Sequence, residues 1–327
     1  MKRNTFLFIF LVVQVALVVA LYYSKKDYGA FSPEENLLSF NKVDVNTITL
    51  EAEGEQPLVL KKGPDGWGIP SYYNFPCNQA NVEDLLTKLS DLNKGWPVAL
   101  STDSAERFRV DKENFVRHII LQNNEKIMTE LFIGSAPSFR KSHARVGGSD
   151  DIVVVEFSDF DAEARPVDWF DRDILNRSEA DITTLTMDGY SLKKEEDNWI
   201  VADLADGETS AVEEIKKLLK KVTGLTMESV LGPENKIEYH QDAPELVFSL
   251  QLASGEQVTY TISKPEKDEH YVLKSSDNDN YFKVILWMVD GIKEFTREKV
   301  VQSSNIEIPF EQAEEKEESN DGATGSN

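Results

Sequence analysis

Apolar and polar positions alternate along most of this chain in short runs bounded by turn residues, and twice the spacing switches to a helical period. Asp44 to Glu53 carries Val45, Ile48 and Leu50 and reads as a strand. Gln56-Pro57 turns it back into Leu58-Val59-Leu60, and Gly63-Pro64-Asp65-Gly66 leads into a third strand at Trp67-Gly68-Ile69. From Asn78 to Lys94, Val82, Leu85, Leu86, Leu89 and Leu92 fall on one helical face, with Gly95 as the expected C-cap. Strands at Val116–Gln122 and Lys126–Ile133 follow, hinged at Asn123-Asn124. A hairpin then joins Ser142–Val146 to Ile152–Phe157, and a short helix or turn at Asp168–Leu175 ends the unit.

The same order begins again. Ile182–Met187, Tyr190–Lys194 and Trp199–Ala202 form a second meander, and Val212, Ile215, Leu218, Leu219 and Val222 line a helix capped by Gly224. Glu245–Leu252 with Gln257–Ile262, then His270–Lys274 with Tyr281–Ile285, complete it as two hairpins. The residues echo as well as the pattern. Leu60-Lys61-Lys62, Asp65 and Trp67 return 132 positions later as Leu192-Lys193-Lys194, Asp197 and Trp199. Val82-Glu83-Asp84 returns as Val212-Glu213-Glu214, and His143 with Ser149-Asp150 as His270 with Ser276-Asp277. Phe170, Arg172, Asp173 and Ile174 return as Phe295, Arg297, Glu298 and Lys299, at an offset of 125. Shrinking offsets are those of two copies separated by small loop deletions, and self-similarity of this kind sets the fold reading. The expected fold is α+β: two repeated modules, residues 44–175 and 181–301, each an antiparallel sheet plus one main helix. Each has the length of an independent core.

Outside the modules, an apolar run from Thr5 to Tyr23 is interrupted only at Gln14. About 20 residues of helix span a bilayer, whereas the apolar region of a cleaved signal peptide is ~7–15. The run is read as an uncleaved transmembrane helix behind a short head, residues 1–4, and ahead of a polar tether, residues 24–43. Lys2 and Arg3 are nearly balanced by Lys25 and Lys26, so charge alone does not orient it. A short basic head ahead of a large body points to an extracytoplasmic body. With no cysteine behind the run, a lipoprotein anchor is excluded. Residues 303–327 hold seven acids and one lysine, and are expected to be a disordered acidic tail.

Fifty-eight acidic against 35 basic residues give a net charge of −23. Such a surface repels phosphate backbones and anionic headgroups, so no nucleic-acid partner is expected and the charge serves mainly solubility. The single cysteine, Cys77, allows no internal disulfide and leaves the redox compartment undecided.

Candidate chemistry is sparse. Trp67 and Trp199 read as core residues closing each sheet, and Lys61 and Lys193 as outward positions beside strand leucines. His118, His143, His240 and His270 show no helical metal-binding spacing. Ser138-Phe139-Arg140-Lys141 and Ser191-Leu192-Lys193-Lys194 match S-x-x-K, the pattern of penicillin-interactive serine enzymes. The K-T-G string those enzymes also need is missing. Cys77 has no recognisable base beside it. Asp277-Asn278-Asp279-Asn280 begins like a calcium loop, but Phe282 and Met288 stand where its glycine and glutamate belong. No catalytic, cofactor-binding or metal-binding residue is assigned, and no cofactor is expected.

An N-terminal span, a strand pair closing K-x-x-x-x-W, a helix led by V-E and an acid, the pair Ile133-Gly134 and a closing F-x-R followed by an acid resemble the DUF4340 family, over roughly residues 45–301. Leu58 to Leu175 carries the best match. Members often have Y-G-L after the helix, where this chain has Phe108-Arg109-Val110. The resemblance implies a single-span envelope protein of unestablished function, of the kind encoded beside ABC-transporter and gliding-motility-type auxiliary components. The expectation is therefore a non-catalytic, membrane-anchored accessory protein of the cell inner membrane, its periplasmic body binding envelope protein partners. A small-ligand sensor and an envelope hydrolase with a site between the modules are the alternatives. The oligomeric state is not legible.

Overall fold

The computed structural model describes residues 35–303 except 197, 267 and 268, together with residues 11, 13–16 and 18. Those six lie in the expected span and are helical with exposed side chains. The rest of residues 5–23, the head 1–4, the tether up to 34 and the tail from 304 fall outside the described residues. Among the described residues no helix is long and apolar enough to cross a membrane.

The body is α+β, with two large antiparallel sheets and few helices. The first sheet contains β1 (Thr47–Ala52), β2 (Leu58–Gly63), β3 (Gly66–Ile69) and β4 (Phe75–Pro76). Helices α1 (Gln79–Ser90) and α2 (Thr102–Phe108) intervene before β5 (Arg117–Asn123), β6 (Lys126–Ile133), β7 (Ser142–Val146) and β8 (Ile152–Val155). In space its strands run β4-β3-β2-β1-β5-β6-β7-β8.

The second sheet starts with β9 (Ile182–Met187), β10 (Tyr190–Glu195) and β11 (Asn198–Val201). The short strand β12 (Glu208–Ser210), helix α3 (Val212–Thr223) and β13 (Ser229–Gly232) lead to β14 (Leu246–Leu252), β15 (Gln257–Ser263), β16 (His270–Ser275) and β17 (Tyr281–Ile285). Helices α4 (Leu286–Lys293) and α5 (Arg297–Val300) and strand β18 (Val301–Ser303) close the chain. The second sheet runs β11-β10-β9-β14-β15-β16-β17-β13. Seven strands therefore occupy the same order in both sheets. Each sheet has one strand of its own, β4 at one margin of the first and β13 at the opposite margin of the second.

The alternation that marked the strands is the alternation of burial. In β1, Ile48, Leu50 and Ala52 point into the core while their neighbours are partly exposed. Helices α1 and α3 bury the faces read from their spacing, Val82, Leu85, Leu86 and Leu89 in one and Ile215, Leu218, Leu219 and Val222 in the other. At ~2 kcal/mol for each buried aliphatic side chain, one such face contributes about 8 kcal/mol toward holding its helix.

Several details depart from the sequence reading. Helix α1 ends at Ser90, with Asp91 rather than Gly95 as its cap, because residues past it are taken up by the incoming chain. The Leu37 amide donates to Leu92, the Lys94 amide donates to Glu35, and Leu38 is buried, so the described end of the expected tether lies against the first module. The second module holds α4 as well as its main helix. Val301–Ser303, which runs from the end of the second module to the first residue of the expected tail, is a strand paired with β12.

The two sheets share one continuous apolar core. The Phe75 and Phe170 rings meet edge-on at 5.5 Å, and Phe75 meets Phe282 of the second sheet at 5.9 Å. Around these rings Arg172 Nε donates to the Met227 carbonyl at 2.9 Å, the Arg177 amide donates to Thr223, and the Arg177 side chain pairs with Asp277. The junction is filled rather than cleft.

Candidate functional site

The residues flagged by the sequence are mostly placed by packing. Trp67 and Trp199 are buried, and each stands opposite the second lysine of its echo, Lys62 across from Trp67 and Lys194 across from Trp199. Trp199 Nε1 donates to Glu179 at 3.0 Å. Lys61 is outward as expected; Lys62, one position on, shares the tryptophan's side of the strand pair at the exposed end of the ladder.

The histidines are held separately. His118 Nδ1 meets Glu51 at 2.9 Å and its ring stacks on Phe132 at 4.1 Å. His143 Nδ1 lies 2.7 Å from the Ser135 carbonyl, and His270 Nε2 lies 2.8 Å from Glu228. His240 caps a short 3-10 turn. No three His, Cys, Asp or Glu side chains among the described residues converge to hold a metal ion.

Ser138 and Lys141 face each other across a tight turn through a backbone hydrogen bond, whereas Ser191 and Lys194 are three apart on a strand and so point to opposite faces. Cys77 is 1 % exposed, and burial pushes its thiol up to about 12, so it stays protonated. Residues 277–280 form the turn between β16 and β17, with Asn278 Oδ1 accepting from the Asn280 amide.

A different surface gathers groups of one kind. The last two turns of α3 and the first turn of α4 border an open groove of about 580 Å³, lined by Lys217, Lys220, Lys221, Thr223, Gly224, Trp287 and Met288. The amphipathic period of α3 directs its aliphatic side chains inward, which leaves the lysines on the solvent side. Helix α4 follows directly from β17, buries Val289 and Ile292, and thereby turns Trp287 outward. That indole is 65 % exposed on a protein whose three described core tryptophans are almost fully covered.

Lys221 reaches over α4 at Gly291, where a Cβ would come within 2.7 Å of its Nζ, the flexible tip of the side chain. The Thr226 hydroxyl reaches the Met288 sulfur at 3.8 Å. Lys217 is paired with Glu214 at 2.7 Å, and that carboxylate's hydrogen bond raises its affinity for a proton. No acidic side chain among the described residues answers Lys220 or Lys221. Part of their charge offsets the negative end of the α3 dipole, but Lys217 sits a turn earlier and Trp287 comes from another element. The combination is a cationic rim around an exposed aromatic plate, suited to an acidic segment carrying an apolar anchor.

Neither the lysines nor Trp287 stood out in the sequence. Three lysines at i, i+3 and i+4 look like any solvated helix face, and Trp287 sits in an apolar run, Ile285 to Val289, indistinguishable from the end of a strand.

A search of curated proteins and a search of solved structures each return no match. The family comparison does. The profile described as domain of unknown function DUF4340 matches residues 67–244, from β3 of the first sheet across the filled junction to the entry of β14. The match thus crosses both modules instead of following one copy. Of the residues that carried the resemblance, Gly134 lies against the carbonyls of Phe108 and Arg109, and Arg109 has a left-handed backbone with φ 58°. With more than half of its length matched, this chain belongs to the DUF4340 family.

Proposed function

We propose that this protein is a non-catalytic accessory protein, anchored in the cell inner membrane by residues 5–23. Its periplasmic body binds protein partners of an envelope complex, of the ABC-transporter kind that the family resemblance implies. The lysine and tryptophan groove between α3 and α4 is the contact surface. One observation carries this reading: an indole 65 % exposed stands beside three lysines on a chain of net charge −23. Exposed aromatic and cationic residues clustered at the centre of a patch are the usual energetic anchors of interfaces.

The filled junction weighs against the hydrolase alternative, whose site needed a cleft between the modules. The buried, protonated Cys77 is no nucleophile for it either. Two copies of one module, sharing strand order, supply a scaffold. The groove's volume lies within the range of small-ligand pockets, but its projecting indole and open rim fit a polypeptide better than a small molecule.

The test is a pull-down from detergent extracts, comparing the native chain with Lys217→Glu/Lys220→Glu/Lys221→Glu. An envelope protein recovered by the native chain and lost from the variant is expected. Recovery of nothing above background, or equal recovery by both, contradicts the reading.

A further inference from the structure

The body begins at Glu35, against the segment that follows α1. The Lys94 amide donates to the Glu35 carbonyl at 2.8 Å and the Leu37 amide to that of Leu92 at 2.6 Å, so the entry of the chain is fixed two residues before Trp96. From Trp96 the chain runs extended along the outer edge of β8, the Val98 amide donating to Ile152 and the Ile152 amide to Ala99. Trp96, Val98 and Leu100 alternate along this edge and are 61, 51 and 66 % exposed. On the other side of β8, β7 begins at Ser142 opposite Val155, and the turn just before it carries Phe139, 86 % exposed. Neighbouring strands lie ~4.8 Å apart, so the two apolar groups flank β8 at a separation of about 10 Å. Between them an open groove of about 470 Å³ is bordered by Gly95, Lys141, Val154 and Glu156. Single exposed apolar side chains are ordinary, but four around one strand form a patch.

Charge separates this patch from the rest of the molecule. Within two positions of its four apolar residues the charged side chains are Lys94, Arg140 and Lys141, with no acid among them. Arg140 lies over the Phe139 ring at 5.2 Å. Lys141 meets Glu156 at 3.5 Å through exposed side chains, a pairing of little strength. Indole and phenyl rings beside long cationic side chains are the groups that sit at headgroup level, the rings in the interface and the charges reaching to phosphate. The chain as a whole carries −23 and is repelled by anionic headgroups, so approach to a bilayer needs an end free of that excess. The α3–α4 groove has similar chemistry, but it belongs to the second module, whereas the chain enters at the first. From Tyr23, the last residue of the proposed anchor, to Glu35 is 12 residues, ~40 Å of chain at full extension. A tether of that length holds patch and bilayer together at about millimolar effective concentration.

We propose that the edge of the first sheet carrying Trp96, Val98 and Phe139 rests on the bilayer surface, with Arg140 against lipid phosphate, and so fixes how the body stands on the membrane. The proposal rests on the reading of residues 5–23 as an anchor.

Trp96 reports this directly. Trp67, Trp169 and Trp199 are 6, 4 and 5 % exposed, which leaves Trp96 and Trp287 as the accessible tryptophans. The full chain is reconstituted into vesicles of phosphatidylethanolamine and phosphatidylglycerol, with or without phosphatidylcholine brominated near the headgroup end of its acyl chains. In a Trp287→Phe background, the Trp96 emission, taken as the difference from Trp96→Phe/Trp287→Phe, is expected to fall about 2-fold in the brominated vesicles, as for an indole at headgroup level. Phe139→Asp, at a side chain too exposed for the fold to depend on it, is expected to weaken the quenching, and Val98→Asp/Phe139→Asp to abolish it. In the Trp96→Phe chain, Trp287 is expected to be unquenched. Flotation of the same vesicles on a density gradient reports the anchor separately. Protein that floats with Trp96 unquenched, quenching that survives both variants, or quenching of Trp287 instead overturns the proposal and leaves the anchor standing. Shielding of Trp96 that grows with protein density and ignores bromine assigns the edge to a second copy of the chain and overturns it too. Protein that does not float removes the anchor, and the docking with it.

Discussion

Replacing Gly134 with alanine tests the packing that places the first module's small helix. A Cβ at this position would lie 2.1 Å from the Phe108 carbonyl oxygen, 2.6 Å from that of Arg109 and 2.7 Å from Val110 Cγ1. The two closest atoms are backbone, so no side chain can rotate away, and α2 must retreat by about 1 Å to reach an ordinary C···O contact. That retreat stretches the hydrogen bond from the Ser135 amide to Phe108, now 2.9 Å, worth about 1 kcal/mol. It also loosens the cluster of Ala105, Val110, Phe132 and Ile152, all buried, and overpacking of this kind costs about 1–3 kcal/mol. The sum is about 2–4 kcal/mol. With a urea slope of about 2 kcal/mol per molar, the unfolding midpoint falls by about 1–2 M. Gly148→Ala is the control: its φ is +79° but nothing lies within 4 Å, so only backbone strain of about 1 kcal/mol applies. Tryptophan fluorescence against urea reads both. A Gly134→Ala midpoint equal to that of the native chain, or smaller in effect than Gly148→Ala, refutes the reasoning.

Three further outcomes follow from the same geometry. Phe282 is fully buried against Phe75 at the junction, so Phe282→Ala costs about 3–5 kcal/mol in urea unfolding; a loss below about 1 kcal/mol would show that the modules do not share a core. Hydrogen bonding from Arg297 lowers the Glu208 carboxyl from 4.5 to about 2. A depressed carboxylate stabilises above its unfolded value and loses that effect as pH falls through its folded one. The protection of the β12 and β18 amides, relative to their intrinsic exchange at each pH, is therefore expected to fall between pH 4.5 and 2, and Glu208→Gln to abolish the change; an unchanged pH profile in that variant counts against the pairing. Cys77, buried and protonated, is expected to resist maleimide at neutral pH until the protein unfolds, and rapid native labelling contradicts its placement.

What the sequence disclosed was local. The boundaries of β6, β7, β9 and β17 coincide with those read from alternation, because period-two burial and turn residues are set within a few positions of each other. The turns held too, as at Asn124, whose φ is +55°. Elements that depend on distant partners were hidden. Strand β18 exists because β12, more than 90 residues earlier, pairs with it. Helix α4 begins directly at the end of β17 with no side-chain cap at Ile285, so no local signal marks its start. The end of α1 depends on Glu35 and Leu37 claiming the backbone beyond it. The groove was invisible for the same reason: Lys217 and Trp287 are 70 positions apart, and only the packing of α4 against α3 makes them neighbours.

The account's central claim is that the groove between α3 and α4 meets an envelope partner. A benzophenone amino acid substituted at Trp287 and irradiated in intact membranes tests it most directly, with the equally exposed Trp96 as the reference position. The account predicts a crosslink to an envelope protein from position 287 that disappears with Lys217→Glu/Lys220→Glu/Lys221→Glu. No adduct from position 287, or the same adduct formed equally from position 96, would contradict it.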